Sequence, residues 1–405
     1  MKKLFILIAA IFLAALGFTS CNQEDLSNNT AQEQTSNKYS AQEAAANVLE
    51  FINNMNSKGT RTFNQDISIA NIKPFSIENK TRASESVNTD TLFYIVNFND
   101  SCGFAIAAAD KEDAPVLALI EHGNYNGTES LNPGFDAFMN TLIETHIAQV
   151  PCIEGKWGGG PSISRPDKFE VMAPLLKTKW GQLWPYNDYC SGPTGCVITA
   201  VSQICSFLEK PNNIRYQYNS EFGATTINWT KVNQECAIDG QLHSAETKEQ
   251  IARLMRFWGI TFNAEYSSNS TSADTGDAVD KMRDNFGFNV TGLSDYNIDN
   301  VIKDLKNGHK IIIMRGNARY YHVAFVVRKY VDGHAWVVDG YIDQVKNKQE
   351  NKYIHCNWGW DGSHNGYFLS DVLNAEQDPA FNDNDIASTR SNNFRYRLKT
   401  ATFTK

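Results

Sequence analysis

No run of basic residues occurs anywhere in this chain, and its 37 lysines and arginines are outnumbered by 45 acidic residues, for a formal net charge of −8. Binding to a nucleic acid draws most of its affinity from cationic side chains that displace condensed counterions, so that class of function is excluded. Cysteine is also sparse, with eight in 405 residues. No CxxC pair is present, and no cysteine–histidine combination has zinc spacing, so neither a structural metal nor a cofactor is expected. Internal repeats of the solenoid type are lacking. So is an apolar run long enough to span a membrane, since Leu4 to Phe18 is too short and follows a basic start.

That first run, Met1-Lys2-Lys3 followed by Leu4 to Phe18, reads as an export signal. Phe18-Thr19-Ser20-Cys21 at its end resembles a bacterial lipoprotein processing site, which implies a lipidated Cys21 as the mature N-terminus. Asn22 to about Ser40 is rich in Asn, Gln, Ser and Thr and reads as a solvated tether. Ala41 to Met55 then carries Ala44, Val48, Leu49, Phe51 and Ile52 at helical spacing. Leu92–Val96 and Gly103–Ala109 read as paired strands, and Phe135 to Ala148 as a helix.

The chain is organised around Ser191-Gly192-Pro193-Thr194-Gly195-Cys196. Gly192, Pro193 and Gly195 make a tight approach to an apolar helical run, Val197 to Leu208, that ends before Pro211. Cys196 therefore falls in the first helical turn, where unpaired N–H groups and the helix dipole favour a thiolate. Cys205, nine residues on, points to the opposite helix face and reads as a small buried hydrophobe. Polar residues embedded in strand-like runs follow far downstream. They are Asp332-Gly333-His334-Ala335 with Val338-Asp339-Gly340, and Asn357-Trp358-Gly359-Trp360 with Gly362. His334 lies 138 residues after Cys196, a separation typical of enzymes whose nucleophile and base come from distant parts of the chain. An imidazole near a thiol can take its proton, and a side-chain amide such as Asn357 can hold the ring in the useful tautomer.

Together with Thr194-Gly195-Cys196-Val197, Ala200, Gln203 and Gly366-Tyr367-Phe368, these motifs resemble the streptopain-like secreted bacterial cysteine peptidases of the papain-like clan. The resemblance implies Cys196 as nucleophile and His334 as base and acid. It implies Gln182, 14 residues before the nucleophile, as an oxyanion donor, and Asn357, Trp358 and Trp360 as orienting and shielding the histidine. Gly333 would offer a backbone carbonyl to substrate, and Ser270, in the polar loop Tyr266 to Ala273, a substrate contact. His322 and His355 lie in apolar strand patterns and read as structural.

The expected fold is α+β, a two-lobed papain-like protease with a helical lobe and an antiparallel sheet lobe, preceded by an α+β prodomain. The expected organisation is a signal peptide over 1–20, a tether over 21–40, an inhibitory propeptide over 41–154, an activation linker over 155–173 and a peptidase domain over 174–405. The expected function is a secreted or lipid-anchored cysteine endopeptidase, made as a monomeric zymogen, acting on proteins and peptides through a thioester and held by its own propeptide. Two alternatives remain at this point: another Cys–His enzyme such as an amidase, or a non-enzymatic surface lipoprotein that binds peptides or glycans. The remaining cysteines form no paired framework, and most are expected to be reduced and buried.

Overall fold

The computed structural model describes residues 37–59, 67–76, 91–127, 129, 131–147, 165–323, 327–373 and 396–405. Ser40 starts the first element by local chemistry. Its hydroxyl accepts from the Glu43 N–H while the Glu43 carboxylate accepts from the Ser40 N–H, a capping box that opens α1 (Ala41–Ser57). Then come β1 (Ile69–Ser76), β2 (Thr91–Phe98), β3 (Phe104–Ala108), β4 (Val116–Ile120) and α2 (Pro133–Ile147), followed by β5 (Lys168–Met172).

The middle of the chain is mainly helical. It contains α3 (Cys196–Leu208), a hairpin of β6 (Asn213–Tyr218) and β7 (Glu221–Thr226), α4 (Trp229–Asp239) and α5 (Ala245–Thr261). A small hairpin of β8 (Glu265–Tyr266) and β9 (Thr271–Ser272) precedes α6 (Thr275–Phe286), β10 (Ser294–Asp295) and α7 (Ile298–Leu305). The C-terminal part is sheet: β11 (Lys310–Val323), β12 (Val327–Lys346), β13 (Gln349–Asn357), β14 (Gly366–Leu369), the short α8 (Ser370–Leu373) and β15 (Tyr396–Thr404).

One antiparallel sheet unites the two ends of the chain, in the order β1-β2-β3-β4-β14-β13-β12-β11-β15-β10, with β5 pairing β12 as an eleventh strand. The junction is β4 with β14, where Gly366 lies opposite Ile120 and Phe368 opposite Ala118. Side chains alternate across a strand, and here the sheet separates two cores. Ile312, Met314, Trp336 and Val338 pack with the N-terminal elements. Ile311, Ile313, Ala335 and Val337 pack with α3, α5 and α6. Burial on both faces explains why these strands read as continuous apolar runs in the sequence.

Three features depart from the sequence expectations. Lys168–Met172, expected in the activation linker, forms β5 on the Tyr341–Val345 part of β12. Its Phe169 and Val171 pack on the N-terminal core, and Lys168 Nζ lies 2.8 Å from Asp343 Oδ2. The Ile227-Asn228-Trp229 stretch, which reads in the sequence as a short strand or loop, is a helix start, because the Asn228 side chain accepts from the Lys231 N–H and caps α4. The β6–β7 hairpin carries too few apolar residues to announce itself. Cys21, the linker residues 155–164 and the Asp- and Asn-rich segment 374–391 lie outside the described residues. Among the described residues, no helix is long and apolar enough to cross a membrane.

Candidate active site

The approach to α3 is shaped by residues that cannot be larger. Gly195 caps the helix at φ 92°, in the left-handed region, and a Cβ there would sit 3.1 Å from Thr271 Cβ. A Cβ on Gly192 would fall 2.0 Å from the Ser267 carbonyl oxygen. The turn before Cys196 is thus pressed against the β8–β9 hairpin, and the Thr271 hydroxyl donates to the Pro193 carbonyl at 2.5 Å.

Cys196 is half-buried at the first position of α3. Burial pushes its thiol above the ordinary cysteine range, while backbone hydrogen bonds from Ala335, Val197 and Cys196 itself oppose that by favouring the thiolate. Cys205 is fully buried in the helical core, as its position on the opposite face predicts. Of the other described cysteines, Cys236 and Cys356 are buried and Cys102 and Cys190 partly so, and all six are reduced.

His334 sits in β12 opposite Gly316 of β11. Ala335, its neighbour, is the residue whose backbone meets the Cys196 sulfur, so the strand bearing the histidine abuts the helix bearing the thiol. The imidazole is buried, stacked at 5.9 Å on Trp336 and 6.5 Å from Trp358. Burial holds its pKa down to about 4, against a hydrogen bond with the Trp358 backbone that favours the protonated ring. At neutral pH both groups are therefore uncharged in this state of the chain.

Gln182 is brought to the same turn despite its distance in sequence, because the Thr194 N–H donates to the Gln182 carbonyl at 2.8 Å. Gly181 before it has no room for a side chain, since a Cβ would lie 2.3 Å from Asp361 Oδ2. The expected shield divides. Trp358 is buried, its indole N–H donating to the His364 carbonyl at 3.0 Å, whereas Trp360 is 36% exposed in the following turn. The Asn357 amide goes to Thr178 and Gln203, and the histidine's backbone partner is Trp358.

The two substrate-binding candidates are both exposed. Gly333 lies one residue before the histidine. Ser270 closes the tip of the β8–β9 hairpin through hydrogen bonds with Ser267. Of the two other histidines, His322 falls in β11 and its side chain lies outside what is described. His355 is structural: Nδ1 is 2.6 Å from Asp339 Oδ1 and Nε2 is 3.2 Å from Glu121 Oε1, with all three residues buried.

Glu121 belongs to the N-terminal part, which packs over the sheet beside the site. Gly134 of α2 lies flat on Trp358, so that a Cβ would fall 2.1 Å from Trp358 Cε3. Phe135 stacks on His364 at 4.6 Å. Lys179 Nζ is 2.6 Å from His122 Nε2 and 3.7 Å from Glu121 Oε2.

Comparison with known proteins matches residues 180–368 to the Peptidase C10 family and residues 31–145 to the Spi protease inhibitor family. Over residues 180–368 the chain is similar to the Peptidase C10 family. It is 24% identical to streptopain of Streptococcus pyogenes over 345 residues, which covers 75% of this chain and 82% of streptopain. The thiol protease/hemagglutinin PrtT of Porphyromonas gingivalis is 23% identical over 317 residues, 70% of this chain but 34% of that protein. A prointerpain A fragment of Prevotella intermedia superimposes with a TM-score of 0.53 at 22% identity, covering 82% of this chain and 98% of the fragment. The protein is a cysteine-type endopeptidase made as a zymogen, with a papain-like α+β fold and an N-terminal prodomain.

Two parts of the site were given no role by the sequence reading. Glu121 stands in a short strand-end stretch with nothing to mark it. Thr199 and Gln203 did leave a signal, being polar residues three and seven positions after Cys196 in a helix that is otherwise largely apolar. Both turn out buried on the face of α3 that carries Cys196.

Proposed function

We propose that this peptidase cleaves proteins through a thioester formed on Cys196. The observation that carries this reading is the meeting of the helix-start thiol with the backbone of Ala335, the residue after His334. His334 takes the thiol proton, and the sulfur attacks the scissile carbonyl. The oxygen that turns negative is met by the Gln182 side chain and the Cys196 N–H. The tetrahedral adduct collapses as His334 gives its proton to the leaving amine, leaving the acyl group on sulfur. Water, deprotonated by His334, then releases the second product and regenerates the thiol. Trp358 holds the imidazole, with Asn357 securing that segment, and Trp360 borders it from the surface. The Gly333 carbonyl and the Ser270 tip contact an extended substrate on the two sides of the cleft.

The chain is exported and acts as a monomer at the cell envelope or beyond it, with Cys21 as the lipid-bearing residue and 21–40 as tether. Residues 41–154 form the prodomain, which is released by cleavage between 155 and 173, and the peptidase runs over 174–405. Incubation of the chain from Asn22 with an unfolded protein under reducing conditions, beside Cys196→Ala, tests this. Wild type is expected to cleave the substrate and shorten itself while the variant does neither. Cleavage by the Cys196→Ala protein would sink the assignment. Radiolabelled palmitate recovered on wild type and absent from Cys21→Ser is the expected sign of the anchor.

A further inference from the structure

We infer that Gln203 is a positioning residue for catalysis, fixing from the nucleophile's own helix the Asn357–Gly359 segment that holds the His334 ring. The inference rests on the assignment of Cys196 and His334 above. Cys196, Thr199 and Gln203 stand at positions i, i+3 and i+7 of α3 and so share one face. Gln203 is fully buried. An unpaired carboxamide there would cost about 1–3 kcal/mol, and the structure shows where its partners lie.

Its Oε1 accepts from the Thr178 hydroxyl at 3.1 Å, the Trp180 N–H at 3.1 Å and Asn357 Nδ2 at 3.2 Å. Its Nε2 donates to Asn357 Oδ1 at 3.2 Å. The two amides are therefore paired head to head. Asn357 uses its second N–H on the Thr178 carbonyl at 2.8 Å, and its Oδ1 also accepts from the Gly359 N–H at 3.3 Å. Trp358, whose backbone meets the histidine, is the residue between those two anchored positions. On the same helix face Thr199 closes the arrangement, because a Cβ on Gly359 would come 3.1 Å from Thr199 Cγ2.

One side chain thus joins three pieces of the site. They are the helix of Cys196, the Thr178–Trp180 stretch that leads into Gln182, and the segment whose backbone meets His334. A polar residue serving the core alone would need none of these particular partners. With the amide pair in place, the nucleophile's helix sets where the histidine's support stands, so thiol and imidazole are placed by a common reference.

The test uses self-processed enzyme, with kcat and KM expressed per site titrated by an irreversible thiol-directed inhibitor and followed from pH 5 to 9. Gln203→Leu, which removes all four bonds at similar volume, is expected to lower kcat about 10- to 100-fold with KM changed less than about threefold. The pH profile should narrow. A loosely held imidazolium stabilises the thiolate less, so the acid limb moves up and the alkaline limb down. Gln203→Glu keeps volume and acceptor, and should retain more activity while gaining a transition from the introduced carboxyl. If Gln203→Leu does not fold, Gln203→Glu decides alone. A folded variant with wild-type kcat per titrated site and an unshifted profile overturns the inference. Cleavage by Cys196→Ala would instead refute the catalytic assignment beneath it, whatever the Gln203 variants do.

Discussion

His334 and His355 lie on neighbouring strands and both are buried, yet their surroundings drive them in opposite directions. Around His334, burial dominates and holds the ring neutral, with a pKa down to about 4. Around His355, burial acts the same way, but the Asp339 and Glu121 carboxylates outweigh it and push the pKa up to about 9. The first ring can accept a proton from a thiol at neutral pH. The second is held protonated at neutral pH and ties the prodomain's Glu121 to the peptidase's Asp339. What separates the neutral ring from the charged one is therefore the number of anions placed against it, since depth of burial is shared.

The sharpest way to break the comparison is to remove each ring in turn. His334→Asn is expected to lower kcat/KM of the processed enzyme about 10³-fold or more, as loss of a general base does, with little change in unfolding midpoint. His355→Asn leaves Asp339 and Glu121 buried without the cation they share, and breaking such a cluster costs about 3–5 kcal/mol. Its zymogen should unfold at markedly lower urea while surviving folded molecules cleave normally. Equal losses of activity per folded molecule would erase the distinction.

A smaller effect is expected where the prodomain touches the other side of the site. Gly134→Val drives a side chain into the buried Trp358 ring. Overpacking of this kind costs about 1–3 kcal/mol, paid here at the contact between prodomain and peptidase. Self-processing should begin sooner than in wild type, with the processed peptidase unchanged. An unaltered time course of shortening would show that α2 does not restrain the site.

Acidity offers a graded version of the same contrast. The folded pKa of His355 is raised, so its contribution to stability is fully present below the ordinary imidazole range and fades as pH rises through about 9. Glu121 is lowered, because the pull of His355 and Lys179 exceeds the opposing effect of burial. Its contribution is present above the usual carboxylate range and fades as pH falls through its own depressed value. The urea midpoint of the zymogen should hold near pH 6 and decline toward pH 10. In Glu121→Gln the midpoint near pH 6 should be lower and the alkaline decline shallower. Parallel curves for the two proteins would show that Glu121 is not coupled to His355.

Much of this is legible in the sequence alone. The helix at Cys196, the strand at His334 and the structural role of His355 follow from local patterns, in which turn residues, helical spacing and apolar alternation all agree. Asn357 was legible as a residue but not in its contacts, because sequence spacing cannot show that its amide reaches Thr178 and Gln203. The union of prodomain and peptidase in one sheet was hidden for a related reason. β4 and β14 are each a few apolar residues long, and nothing in either says which edge it will meet. β5 was missed because its five residues are all partly exposed, and it is stabilised by charges on β12 that lie far along the chain.

The two cysteines of α3 repeat the histidine contrast in thiols and give the smallest expected effect. Both thiols are pushed up by burial, but Cys196 has backbone N–H groups from Ala335, Val197 and its own residue to favour a thiolate. Cys205 has only the Trp258 side chain in opposition, within an apolar core. Cys205→Ala deletes one buried sulfur from a site that can partly collapse, so a loss of about 1–2 kcal/mol in unfolding free energy is expected. The kcat and KM of the processed enzyme should stay within about twofold of wild type, since ΔΔG‡ is set by contacts made in the transition state. Iodoacetamide should still label native Cys205→Ala protein at one active-site thiol, the thiol lost in Cys196→Ala. Labelling of Cys205 in the native wild type would mean that the helix face opposite the nucleophile is open to solvent, and the division of α3 into a chemical face and a packing face would fail.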